Sequence, residues 1–336
     1  MADLINISAP GQVLSDGDQL ALFLKTFGGE VLTAFSNASV TLGRHIERNI
    51  TSGKSAQFPV VGRTAAHYLK KGQSLDALRT NIESAEKTIV IDGLLVADCM
   101  IFDLDEAMAH YDVRSAYSKE LGDAMAVAND GAVIAEIAKM VVADTENIPT
   151  KGDVKGTGKG KIISEELPAA DIGETEAMGA AIMRELLKAK TVLSDNKVPA
   201  VDRYCYIRPV ALNAMLANKD VLNKLYGAEI TIRDNKAPMV FGFELIETPD
   251  LTTGGATVNE GVVQGNGHVF PAEYKDSCMF VVAHRSAVGV LTLKGLNVEN
   301  NRRGNYQANE ITTSYSKGYG GLRPEAACIG VVTTQA

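Results

Sequence analysis

The sequence predicts a mixed α+β chain. Three observations carry that reading. One stretch of about thirty residues keeps a helical apolar period throughout. Two early strand-like runs flank a long polar tip, and a group of short β-branched runs closes the chain, the pattern of a late antiparallel sheet.

In chain order, residues 1–18 are polar and punctuated by Gly and Asp, and read as an end outside the core. Residues 19–35 (QLALFLKTFGGEVLTAF) are more apolar and predict a short helix, a turn at Gly28–Gly29 and a second short helix. Residues 41–48 (TLGRHIER) fit one more helical turn or an extended arm. Residues 1–54 thus form an arm without its own core. Its apolar side (Leu20, Leu22, Phe23, Phe27, Val31, Leu32, Phe35) must be covered from elsewhere.

Residues 55–62 (SAQFPVVG) and 85–92 (AEKTIVID) predict the two strands, with Pro59 limiting the first to an edge. The segment between them, 63–84, is too long for a tight hairpin turn. An isolated two-stranded ribbon is marginal in water, so this one requires a partner surface. Residues 94–102 (LLVADCMIF) are a further apolar strand.

The long helix is predicted over Asp112 to Val142, with Asp112 as N-cap. Tyr117, Leu121, Ala124, Met125, Ala128, Ala132, Ala135 and Val142 form its stripe, while Glu120, Asp123, Asp130, Glu136 and Lys139 lie mostly off it and are expected to face water. At 1.5 Å per residue it would run roughly 45 Å. Gly122 and Gly131 each cost about 1 kcal/mol relative to Ala, so tertiary packing must hold it. Beyond a Gly/Lys loop at 150–161, helices follow at 175–193 and 209–218. Strands are expected at 203–207, 239–247, 277–283, 288–293, 310–315 and 326–333, with a Gly-rich loop at 252–267.

Composition bounds the function. The chain has 336 residues, 46% of them hydrophobic and 22% charged, with a net charge of −8. That balance opposes a nucleic-acid-binding role for the whole chain. Nowhere do about 18 apolar residues run together, so no membrane helix is predicted, and the first residues lack the basic start and apolar core of a secretory signal. Cys99, Cys205, Cys278 and Cys328 lie far apart and predict free thiols. Charge is unevenly placed. Between residues 44 and 79, Arg44, Arg48, Lys54, Arg63, Lys70, Lys71 and Arg79 are opposed only by Glu47 and Asp76. A basic window on an acidic body suits docking onto another copy better than phosphate binding.

The chemical motifs are incomplete. SGKS at 52–55 lacks the glycine five positions earlier, where Arg48 stands, and precedes a strand instead of a helix. GTGKG at 156–160 fails the dinucleotide pattern on context and reads as a solvated loop. His45, His67, His110, His268 and His284 keep no zinc spacing, and HYD at 110–112 has no nucleophile elbow to serve. No catalytic, cofactor-binding or metal residues are predicted, so the chain is expected not to be an enzyme.

Several long stretches carry a family resemblance: LALFLKTFGGEVLTAF (20–35), SGKSAQFPVVGRT (52–64), IDGLLVADCMIFDLDEAMAHYDVRSAY (91–117), HVFPA (268–272), HRSAVG (284–289) and GGLRPEAA (320–327). In this order, over nearly the whole chain, they resemble the major capsid proteins of T7-type short-tailed phages. The resemblance implies the Hong Kong 97-type fold. It would make 1–54 an N-arm, 55–92 an extended E-loop, 93–164 with 284–319 a P-domain around a spine helix, and 165–283 with 320–336 an A-domain. It implies a shell subunit that self-assembles into hexamers and pentamers of an icosahedral head enclosing double-stranded DNA. A separate scaffolding protein and a portal would be partners, with assembly in the bacterial cytoplasm and a final place in the virion.

On this reading, inter-subunit contacts are expected from Arg63, Lys70, Lys71 and Arg79 of the E-loop and from Phe23, Phe27, Phe35, Arg44 and Arg48 of the N-arm. Lys70, Lys71 and Lys87 offer amines for a cross-link, but no acid can be assigned to them and none is predicted. An encapsulin-like compartment shell is the nearer alternative, and a soluble nucleotide-binding enzyme the distant one.

Overall fold

The computed structural model describes residues 21–77, 79, 81–104, 113–151, 155–217, 239–252 and 267–335, with the side chains of 21–29, 77 and 113–115 left aside. The expected N-cap Asp112, His110 and most of the loop at 252–267 lie outside these residues. The chain gathers into two compact units. One is built from segments within Met1–Ser39, Leu94–Val127 and Lys294–Ser316, the other from segments within Val40–Gly93, Ala128–Leu293 and Lys317–Ala336.

In the first unit a helix α1 (Ala21–Ala38) lies against the start of α2 (Val113–Val142). Here α1 runs unbroken through Gly28–Gly29, where a turn was expected. Packing outweighs the glycines' weak helix propensity: Val31 and Phe35 are buried with Leu121, Met125 and Ala126 of α2. Gly122 permits the approach, since a Cβ there would come within 2.6 Å of Ala34 Cβ and 2.8 Å of the Val31 carbonyl oxygen. The Phe35 ring meets Tyr315 edge-on at 6.5 Å. Val31 and Phe35 are therefore covered by their own chain, contrary to the expectation that the arm's apolar face waits for a neighbour.

A four-stranded sheet has the order β1-β10-β11-β4, formed by β1 (Ile46–Asn49), β10 (Val288–Arg303), β11 (Ala308–Gly321) and β4 (Leu95–Phe102). Of the stretch 41–48 left open, residues 41–45 form a turn closed by the Arg44 amide on the Thr41 carbonyl at 3.0 Å, and β1 makes the rest extended, parallel to β10 from Ile46↔Gly289 to Asn49↔Thr292. β10 and β11 extend well beyond the predicted 288–293 and 310–315. Their outer halves alternate or are largely polar, so the apolar-run criterion missed them. β11 runs antiparallel to β4 from Ala308↔Phe102 to Tyr315↔Leu95.

The second unit is centred on a six-stranded sheet, order β5-β12-β9-β6-β8-β7. Its members are β5 (Lys161–Leu167), β6 (Arg203–Ile207), β7 (Met239–Val240), β8 (Phe243–Glu247), β9 (Cys278–His284) and β12 (Ala327–Thr334). The sheet is mixed, since β5 pairs parallel with β12 and β6 parallel with β8. β5 was not expected. Its KIISEEL is half polar and buries chiefly Ile163 and Leu167, as an edge strand does.

Helices α3 (Glu176–Asp195) and α4 (Pro209–Ala217) belong to the same core. Thr175 caps α3 by accepting from the Met178 amide at 3.2 Å. Gly179 lets the two helices touch, since a Cβ there would lie 2.1 Å from the Ala214 carbonyl oxygen.

The second half of α2 is buried nearly all round, which corrects the one-stripe reading of the helix. Tyr117 and Ala124, placed on the stripe, are exposed, while Asp130, placed in water, is buried. The reason is a polar hub. Asp130 Oδ2 accepts from the Val40 amide at 2.6 Å, and Oδ1 from the Thr41 hydroxyl at 2.5 Å and the Thr41 amide at 3.3 Å. Its neighbour Asn129 accepts from Lys317 Nζ at 3.0 Å and the Tyr319 hydroxyl at 3.1 Å. Burial pushes the Lys317 amine below the usual lysine range, against the pull of Glu47 and Asp130.

A second buried acid, Glu185 of α3, has no hydrogen-bond partner among the described residues for either carboxylate oxygen. Burial, reinforced by the nearby Glu165 charge, raises its carboxyl to about 8. The folded state thus keeps its proton while the unfolded chain releases it above about 4.5, so this group's contribution to stability declines as pH rises from 4.5 towards 8.

Two predictions follow from this packing. Asp130→Ala strands two amides and a hydroxyl and should lower subunit stability by about 3 kcal/mol in urea unfolding; a loss under about 1 kcal/mol would refute the hub's weight. Glu185→Gln should raise the melting temperature at pH 8 and leave it nearly unchanged at pH 5. Equal shifts at the two pH values would contradict a protonated Glu185.

Candidate assembly surface

The strands expected at 55–62 and 85–92 form a ribbon of β2 (Ser55–Val61) and β3 (Ser84–Val90). They pair antiparallel from Ser55↔Val90 to Val61↔Ser84 and form a sheet by themselves. Pro59, which has no N–H, is accommodated because each strand of a two-stranded sheet is an edge. The ribbon is anchored at its root. Phe58 and Ile89 are buried with Leu291 and Leu322, and the amide of Ile91 donates to the Lys54 carbonyl at 2.7 Å. Arg48 donates to the Gln57 carbonyl at 2.9 Å, with its guanidinium 5.7 Å from the centre of the Phe58 ring.

Beyond the root the ribbon carries a long tip with little cover from its own chain. Gly72, at φ +81°, makes the turn that lets the Gln73 amide donate to the Lys70 carbonyl at 3.1 Å. Tyr68 is fully exposed, and Leu69, Leu75 and Ile82 are each about half exposed or more. These four apolar side chains were missed by a reading that took the segment as mostly polar.

The expected contact residues divide by position. Lys70 and Lys71 are exposed at the tip, and Arg79 is exposed there in a 3.0 Å pair with Asp76. Such an exposed pair contributes at most about 1 kcal/mol. Arg63 instead donates to the Asn196 carbonyl of its own chain. It also lines a cavity of about 430 Å3 with Phe58, Val60, Leu322 and Glu325. Arg44 pairs with Glu244 at 2.8 Å and lies 5.6 Å from the Tyr204 ring centre. With Arg48 and Phe35 it is engaged within the chain. Phe23 and Phe27 fall in α1, where side chains are not described.

The motifs set aside earlier find structural places. SGKS enters β2, and no helix follows it. GTGKG is not the solvated loop expected. Gly156 and Thr157 are buried, and a Cβ on Gly156 would lie 2.4 Å from the Ile148 carbonyl oxygen. Among the described residues, no group of three or more His, Cys, Asp or Glu side chains is arranged to hold a metal ion.

A helix of thirty residues, a six-stranded mixed sheet and a separate two-stranded ribbon define the class. It is the Hong Kong 97-type fold of phage capsid subunits. The capsid of Cyanophage P-SCSP1u matches with a TM-score of 0.71 and 31% identity, covering 99% of this chain and 100% of that one. In sequence, the major capsid protein of Escherichia phage T7 is 47% identical over 326 residues, 94% of this chain and 93% of that protein. The major capsid protein of Enterobacteria phage T3 is 45% identical over 328 residues, with the same coverage of 94% and 93%. The family model of Gp10A-like major capsid proteins matches residues 57–331, and the chain belongs to that family. The family is structural and not enzymatic, which displaces the nucleotide-binding alternative and favours the phage head over a compartment shell.

The division of the basic residues is testable on the unassembled subunit. Arg63→Ala should lower its stability by about 1–2 kcal/mol by removing a charge-assisted bond to a part-buried carbonyl. Lys71→Ala should stay within about 0.5 kcal/mol. Equal effects in a denaturant titration would show that Arg63 is not a root anchor.

Proposed function

We propose that the chain closes into hexamers and pentamers of an icosahedral phage head, with the ribbon tip as the element that reaches a neighbouring copy. The observation that supports this most directly is the tip itself. Tyr68, Leu69, Leu75 and Ile82 are exposed beside Lys70, Lys71 and Arg79 on a two-stranded ribbon whose root is anchored by buried Phe58 and Ile89. Apolar side chains in a basic setting match the acidic remainder of another copy, where charge sets orientation and apolar burial supplies most of the affinity. Heterologous contacts of this kind close into rings.

In this proposal residues 1–54 act as the N-arm, 55–92 as the E-loop, 93–164 with 284–319 as the P-domain, and 165–283 with 320–336 as the A-domain. The segment of the arm holding Phe23 and Phe27 meets a neighbour, whereas Phe35, Arg44 and Arg48 brace the subunit from within. A separate scaffolding protein and a portal at one vertex complete assembly. The shell encloses double-stranded DNA without reading its sequence. The net charge of −8 suits a container that must not adhere to its contents.

Charge reversal of Lys70, Lys71 and Arg79 together should leave the circular dichroism spectrum and melting temperature of the subunit unchanged. It should cut shell yield in electron micrographs by about tenfold or more, as repeated weak contacts are lost around each ring. Normal shell yield from that variant would remove the tip from the interface.

A further inference from the structure

We propose that His268 is a titratable latch that fixes the root of the ribbon to helix α2, and that its release loosens the ribbon. His268 opens the HVFPA motif and is buried. Its Nε2 lies 2.9 Å from Asp92 Oδ2, at the point where the ribbon's return strand ends, and its Nδ1 lies 2.7 Å from Glu136 Oε1 on α2. One ring thus joins three segments remote in sequence. The backbone of Asp92 is tied down as well, since its amide donates to the Lys317 carbonyl at 3.0 Å.

The geometry dictates the charge state. A carboxylate only accepts, so two carboxylates on opposite ring nitrogens require both nitrogens to carry a proton. A neutral imidazole has one N–H, and losing the other proton sets a nitrogen lone pair against a carboxylate in a buried site. Two further described groups stand near, and neither supplies the missing proton. Lys139 Nζ is 3.1 Å from Glu136 Oε1 and donates to the Gly267 carbonyl, while the Tyr319 ring stands edge-on at 5.2 Å. Burial alone would push the imidazole down, but the hydrogen bonds to Asp92 and Glu136 outweigh it and raise the group to about 9. Because the folded value lies above the ordinary 6.5, the latch stabilises fully below 6.5 and is lost as pH rises through about 9.

The test is hydrogen exchange by mass spectrometry on the full chain between pH 7 and 10, read as protection factors corrected for intrinsic exchange at residues 84–92. Unaltered protein should hold protection to about pH 9 and then lose about tenfold, as a local opening does. His268→Gln, which cannot donate to both carboxylates in this geometry, should show the loosened value already at pH 7. Asp92→Asn, which removes one anion, should move the step to lower pH. A profile without a step, a Gln variant within about twofold of the parent at pH 7, or a step unmoved by Asp92→Asn would each overturn the latch. If the Gln variant does not fold, the parent profile and Asp92→Asn decide the matter in the same way.

Discussion

The structure depends on one carboxylate. Asp130, buried in the middle of the long helix, accepts two backbone amides and a hydroxyl from the segment that leaves α1. Burying an acid costs least when its oxygens are so occupied, and a chain leaving a helix needs such acceptors for its amides. The requirements meet at one side chain. Asn129 extends the hub to β11 through Lys317 and Tyr319. Within the second unit the Val40–Thr41 segment, α2 and β11 are thereby joined by polar groups whose partners cannot be exchanged as apolar contacts can.

A different rule governs the ribbon. Its root is tied by apolar burial at Phe58 and Ile89 and by polar links from Arg48 and Arg63, while its tip leaves apolar and basic side chains in solvent. A lone subunit gains nothing from that exposure. In a family of shell-forming proteins, the use proposed for it is contact with a neighbouring copy. Firm attachment at the root gives the tip a defined direction, so less ordering remains to be met when a neighbour binds.

Much of the fold was legible because its elements announce themselves locally. The helix ending at Val142, both ribbon strands, the helix after Thr175, and the strand at Arg203–Ile207 follow from period, capping and β-branched runs. What escaped shares one cause: partners distant in the chain. β5 is half polar and becomes a strand because β12 lies beside it. Helix α1 runs on past Gly28–Gly29, and its Val31, Ala34 and Phe35 meet α2 at Gly122, which has no side chain. Of the assembly surface, the basic tip could be read from charge spacing. That Arg63 belongs to the root could not, because its acceptor is the carbonyl of Asn196, far along the chain.

By itself the sequence determined the fold class, the ribbon and the family, because periodicity, strand pairing over a short span and long shared motifs are written in consecutive residues. Tertiary structure decided which charges serve the subunit and which stay in solvent. It buried Asp130 and His268, turned Phe35 inward, and left Lys70, Lys71 and Tyr68 outside. The physical reason is that solvation belongs to a position in space. A carboxylate or an aromatic ring has the same chemistry in any sequence, and only its distant neighbours settle whether water is among them.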